Sequence, residues 1–138
     1  MHFYIQIIVI GIGPSKMLRI EGLKVNVGEK EILHGVDLEI PAGETHLLFG
    51  PNGSGKTSLV LTVMGLPDYR VTEGKILFKG EDITKLPIDQ RAKLGIGMSF
   101  QRPPTIRGLN TRQMIEICSA GKADVGELAS YMNLEAIS

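Results

Sequence analysis

Apolar and polar residues alternate from Leu18 to Val27, with Leu18, Ile20, Leu23, Val25 and Val27 in the apolar positions. That period predicts a strand with one wet face. Val36, Leu38 and Ile40 repeat the pattern and predict a second strand. Pro41-Ala42-Gly43 then reads as a tight turn, with proline presetting the backbone angle. Thr45–Phe49 differs: His46-Leu47-Leu48-Phe49 is nearly continuous in bulk, which predicts a strand covered on both faces. A glycine-rich loop follows, from Gly50 to Gly55. Beyond it Leu59, Val60, Val63 and Met64 recur at helical spacing, and Gly65 is the expected helix stop.

The second half is less regular. Lys75–Lys79 reads as a strand with Ile76 and Phe78 on one face, and Gly80 turns the chain. Pro87–Lys93 suits a short helix with proline in its first turn. Ile96–Phe100 reads as a short strand, and Arg102–Asn110 as a loop with two prolines. Two helices are expected after it, Arg112–Ser119 capped by Asn110 or Thr111, and Val125–Tyr131. The order predicts an α/β domain with a helical appendage.

The N-terminus stands apart. Phe3 to Ile12 is an apolar run broken by Gln6. It is shorter than the roughly 20 residues needed to span a bilayer, and it lacks the basic start of a secretory signal. A buried first strand, a membrane-surface anchor and an extension outside the domain all fit it. We read residues 1–16 as an extension, because Met17 directly precedes the first clear strand pattern.

Composition narrows the class. The 138 residues suffice for one domain, and 43% apolar with 22% charged residues is ordinary for a globular chain. Fifteen basic residues balance fifteen acidic ones, which gives no global pull toward nucleic acid or an anionic membrane. Any phosphate binding must come from a local site. The single cysteine, Cys118, can form no internal disulfide and cannot alone hold an iron–sulfur cluster. It lies near Met114, Ile115 and Ile117, so core packing is expected of it rather than reactivity. His34 and His46 have no second ligand at a regular spacing, and read as a loop and a strand histidine.

That local site is Gly50-Pro51-Asn52-Gly53-Ser54-Gly55-Lys56-Thr57, which fits G-x-x-x-x-G-K-[ST] in full. Glycines let the backbone wrap so that successive N–H groups point inward. Those donors meet phosphates at the start of a helix, where the dipole is positive. Lys56 places a cation on the β- and γ-phosphates, the Thr57 hydroxyl suits Mg²⁺, and Ser58 can add a phosphate contact. A chance match in a chain of this composition is about one in a hundred. The motif specifies a nucleotide with Mg²⁺, and leaves kinases, GTPases and ATPases open.

The flanks are more specific. Ile32-Leu33-His34-Gly35-Val36-Asp37-Leu38-Glu39-Ile40-Pro41-Ala42-Gly43-Glu44 resembles the run before the P-loop in ABC ATPases. Gly-Pro-Asn-Gly-Ser-Gly-Lys-Thr is typical of that family, and Phe100-Gln101 resembles its Q-loop. The resemblance implies ATP as ligand, an α/β P-loop NTPase fold, and a Gln101 that senses Mg²⁺ and the attacking water and couples to a partner. It places a partial nucleotide-binding domain at 17–138, with the helical subdomain starting at about 103. More finely, Gly65, Tyr69, Val71-Thr72, Gly74, Ile76, Phe78-Lys79-Gly80 and Asp82-Ile83 look like the ATPase of the Suf iron–sulfur assembly system. So do Arg91-Ala92, Gly95-Ile96, and Phe100-Gln101 with Pro103, Ile106 and Gly108. The likeness covers Leu18 to about Leu109, and the tail loosely. It implies a cytoplasmic ATPase, a second ATPase subunit in a dimer, and a scaffold protein as partner, with no nucleic acid. The alternatives are an ATP-binding subunit paired with a membrane permease, and a non-catalytic nucleotide-binding remnant.

Three expectations follow from departures. The chain contains no Leu-Ser-Gly-Gly-Gln-like signature, no Walker B strand ending in Asp-Glu and no switch histidine. It therefore reads as truncated or split after Ser138, able to bind ATP weakly without turning it over. Without a Walker B strand beside it, Thr45–Phe49 is expected to expose an apolar edge. Val27-Gly28-Glu29-Lys30 occupies the loop where many relatives stack adenine on an aromatic, and offers none.

Overall fold

The computed structural model describes residues 6–8, 18–99, 107–119, 121 and 124–131. The chain divides into two compact units, Met1–Ser99 and Phe100–Ser138.

In the first unit the strands are β1 (Gln6–Ile8), β2 (Leu18–Val27), β3 (Lys30–Ile40) and β4 (His46–Leu48). They are followed by α1 (Lys56–Met64), β5 (Tyr69–Phe78), β6 (Glu81–Asp82) and α2 (Ile88–Lys93). An antiparallel sheet runs β3-β2-β5-β6, and β1 pairs antiparallel with β4. The expected second strand is thus longer than Val36–Ile40, and the Lys75–Lys79 strand begins already at Tyr69.

The alternation in β2 slips by one between Ile20 and Leu23, and the structure shows why. A β-bulge falls there, with Gly22 at φ 52 and its N–H bonded to Asp37 Oδ1 at 2.7 Å. Without the extra residue, Leu23 and Val25 would turn to solvent. With it, Leu18, Ile20, Leu23 and Val25 all lie on the buried face. They meet Leu33, Ile76 and Phe78 from the sheet, Leu59 and Val63 from α1, and Ile83 and Ile96. Each such side chain contributes about 1.5–3 kcal/mol through burial.

Helix α1 ends as Gly65 predicts. Gly65 is left-handed at φ 79, the Leu66 N–H reaches the Leu61 carbonyl at 3.1 Å, and the Gly65 N–H reaches Thr62 at 3.0 Å. Arg91 of α2 completes the cap. Its Nη1 donates to the Thr62 and Val63 carbonyls at 2.8 and 2.9 Å, Nε to Leu86 at 2.7 Å, and Nη2 to Thr84 at 2.9 Å. Arg91 is only 3% exposed, and burial lowers its pKa from the ordinary arginine value.

Beside it, the Thr84 hydroxyl accepts from the Ile76 N–H at 2.9 Å and donates to Asp82 Oδ1, which also accepts from the Thr84 N–H. These bonds hold the exposed Asp82 carboxyl below its usual pKa. A depressed carboxylate contributes stability above its unfolded pKa of about 3.9 and loses it as pH falls through the folded value. The stability gap between wild type and Asp82→Asn should therefore narrow between pH 7 and pH 3. Urea midpoints at the two pH values measure it, and a pH-independent gap would exclude this linkage.

Two local expectations fail. Ile96–Ser99 is not strand; Ile96 is buried, yet among the described residues no neighbouring strand supplies a ladder. Phe100 lies outside the described residues. In β4, Leu47 and neighbouring Phe49 are 52% and 61% exposed, so that stretch is covered on one face only. The tight turn expected at Pro41-Ala42-Gly43 is present, closed by the Glu44 N–H on the Pro41 carbonyl; Pro41 takes its first position rather than its second, and Gly43 at φ 77 supplies the bend.

The second unit holds α3 (Thr111–Cys118) and α4 (Val125–Tyr131). Asn110 and Gln113 form a capping box at the head of α3. Asp124 Oδ1 receives the Gly126 and Glu127 N–H groups at 2.8 and 3.1 Å. No residue of α3 is buried, and Cys118 is exposed rather than packed. Helix α4 packs on α3. No described helix is long and apolar enough to cross a membrane.

Candidate functional site

The loop between β4 and α1 is built by its own backbone. The Ser54 N–H closes a turn onto the Pro51 carbonyl at 3.3 Å, and Gly53 and Gly55 have φ of 84 and 89. Glycine is needed at 55 for two reasons. Its φ is left-handed, and a Cβ would lie 2.8 Å from Leu33 Cδ2 and 3.5 Å from the Ile32 carbonyl. A Cβ at Gly50 would meet Ser54 Oγ at 2.8 Å. The loop is therefore drawn tight against β3 and against itself.

Lys56 closes it. Its Nζ donates to the Gly50 and Pro51 carbonyls, both at 2.8 Å, and to Ser54 Oγ at 3.3 Å. All three ammonium hydrogens are used, and the side chain is buried at 9% exposure. The first intrahelical bond runs from the Leu59 N–H to the Gly55 carbonyl at 2.8 Å. The amides of Lys56, Thr57 and Ser58 thus precede the helical ladder. No side chain caps them and the first turn holds no acidic residue. A lysine cation, free amides and a helix dipole converge on one place, which suits an oxyanion of high charge. Thr57 is exposed and Ser58 half-buried at the same mouth.

The structure brings Gly50, Pro51, Asn52, Gly53, Ser54, Gly55, Lys56, Thr57 and Ser58 together in this turn. Gln101 lies outside the described residues. His34 and His46 form surface contacts to Glu31 at 2.7 Å and Glu44 at 3.0 Å. Among the described residues no cluster of three or more His, Cys, Asp or Glu could hold a metal ion.

One neighbour escaped the sequence reading. Val27, at the tip of the β2–β3 hairpin, pairs with Tyr69 at the start of β5. Val27, Gly28, Pro67, Asp68, Tyr69 and Arg70 line an open depression of about 440 Å³. An aromatic ring, Tyr69, thus lies beside the hairpin tip on another strand. No local signal could show this, because antiparallel pairing joins positions far apart in the chain.

A family profile described as ABC transporter matches residues 33–138. "Probable ATP-dependent transporter ycf16" of Cyanidium caldarium is 43% identical over 101 residues, which are 73% of this chain and 40% of that protein. "Probable ABC transporter ATP-binding protein SpyM3_0208" of Streptococcus pyogenes is 42% identical over 114 residues, 82% of this chain and 44% of that protein. The matched region thus spans less than half the length of either relative. A solved bacterial Atm1-family ABC exporter with ATP bound superposes with a TM-score of 0.47 at 23% identity, covering 62% of this chain and 15% of the other. With more than half of its residues matched by the profile, the chain belongs to the ABC transporter family, within its ATP-binding domain.

Proposed function

We propose that this chain binds Mg-ATP as the ATP-binding part of an ABC-type subunit. The observation that carries the reading is the Lys56 ammonium drawn onto the Gly50 and Pro51 carbonyls at the mouth of α1, beside three amides with no side-chain cap. In this reading Gly50–Gly55 wraps the phosphates, Lys56 neutralises the β- and γ-phosphates, and Ser58 adds a contact. Thr57 and Gln101 would hold Mg²⁺ through their side-chain oxygens. Bound Mg²⁺ would supply charge neutralisation at the terminal phosphate.

The system served is proposed to be Suf-like iron–sulfur assembly, on the strength of the residue likeness from Leu18 to about Leu109. A second ATPase subunit and a scaffold protein are the partners in that reading, and the cytoplasm its compartment. Residues 1–16 are then an extension whose Gln6–Ile8 strand pairs along β4, and 17–138 a partial domain. The relatives named as transporter proteins favour a second reading, in which this subunit pairs with a membrane permease. Co-purification separates the two: a soluble scaffold supports the first, a membrane-fraction partner the second.

We further propose binding without turnover, since the sequence carries no Asp-Glu Walker B end and no signature. Positioning and charge stabilisation of phosphoryl transfer depend on such groups. Titrating the purified chain with fluorescent Mg-ATP should give a saturable signal, with no steady-state phosphate release above background. A folded chain with no saturable signal would remove the nucleotide reading, and normal turnover would remove the inactivity reading.

A further inference from the structure

Arg91 stands out among the buried groups that the nucleotide reading does not use. It is 3% exposed, and among the described residues no carboxylate pairs with it. A buried cation without a counter-charge is costly unless its hydrogens are satisfied. Here four bonds go to backbone carbonyls, two of them at the negative end of α1. Gly65 leaves room for this: a Cβ there would lie 2.8 Å from Arg91 Nε.

We propose that Arg91 is a positioning residue for the phosphate loop, acting through α1. Leu59 and Val63 press α1 onto the core face of the sheet. Apolar packing of that kind is non-directional and resists sliding along the helix axis weakly. Directional bonds from Arg91 to Thr62 and Val63 fix the axial position, and those to Thr84 and Leu86 tie it to the turn after β6. Lys56 sits at the other end of the same nine-residue helix, bridging two carbonyls at 2.8 Å. An axial slip of α1 would draw the Lys56 ammonium off the Gly50 and Pro51 carbonyls and shift the Lys56–Ser58 amides with it.

The inference rests on the phosphate-loop reading, so the experiment separates the two. Arg91→Met and Arg91→Lys are prepared in the full chain and compared with wild type by Mg-ATP titration and by amide hydrogen exchange, at a temperature where each is folded. Arg91→Met should weaken affinity about tenfold, within the usual range of coupling between sites. Arg91→Lys, which keeps the charge but not the fork, should fall between. The Leu59 amide at the loop end of α1 should exchange at least about tenfold faster, while Ile20 and Ile76 in the sheet change less. Wild-type affinity and wild-type Leu59 protection in folded variants would overturn the proposal, leaving Arg91 a merely structural residue. Should Arg91→Met fail to fold, Arg91→Lys carries the same comparison. Should wild type itself not bind, the nucleotide reading fails, and the exchange data decide alone: selective loss at Leu59 supports positioning and uniform loss overturns it.

Discussion

Replacing Gly74 with alanine should destabilise the chain by about 3–5 kcal/mol, summing backbone strain and overpacking. Gly74 opposes the bulge of β2, where the register jumps from Glu21–Lys75 to Lys24–Glu73. Its φ is 86, and an added Cβ would lie 2.5 Å from the Gly22 carbonyl oxygen and 2.6 Å from its carbon. Both obstacles are backbone, so no rotamer change relieves them. The strands must part, and the bulge that keeps Leu23 and Val25 on the buried face goes with them. Gly80 is the internal control, with φ 83 and nothing within 4 Å of an added Cβ. Gly80→Ala should cost only the strain, about 1–2 kcal/mol. Urea unfolding of both variants isolates the steric part. Equal losses at the two positions would show that the β2–β5 crossing is not closed by backbone contact.

The same crossing shows how far the sequence could be read. The one-residue slip in β2 is visible as apolar positions at Leu18 and Ile20, then Leu23 and Val25. What cannot be read locally is that Gly74 faces that slip, because register is a non-local property set by pairing. The phosphate loop was legible because all its parts lie within eight consecutive residues, with glycines where the backbone requires them and Lys56 and Thr57 where the chemistry does. Arg91 was not. Its partners are carbonyls, which every residue carries, so no residue type signals them. A charged residue in a short helix would ordinarily face water. Continuous bulk in His46–Phe49 suggested cover on both faces, but bulk cannot say whether a second layer is present, and Leu47 and Phe49 are exposed. Tyr69 reaches Val27 only through strand pairing. In each case the missing information concerns who stands opposite, not what a segment prefers.

Lys56→Ala should lower Mg-ATP affinity roughly ten- to a hundredfold while leaving the fold nearly intact. The two halves of that statement have different causes. A charge-assisted bond to a phosphate is worth about 1.5–3 kcal/mol, which at about 1.4 kcal/mol per decade gives the affinity loss. Stability responds less because Lys56 serves a loop rather than the core. Its acceptors, the Gly50 and Pro51 carbonyls, belong to a segment in which Pro51, Asn52 and Gly53 are exposed. Water can replace the ammonium there, so the expected cost is on the order of 1 kcal/mol. The variant thus differs from Gly74→Ala, which acts on the sheet, and from Arg91→Met, which acts from the far end of α1. Titration and urea unfolding on one preparation measure both quantities. An unchanged dissociation constant in folded Lys56→Ala would mean that the ammonium closes the loop without meeting phosphate, and the bonds at 2.8 Å would be architecture alone.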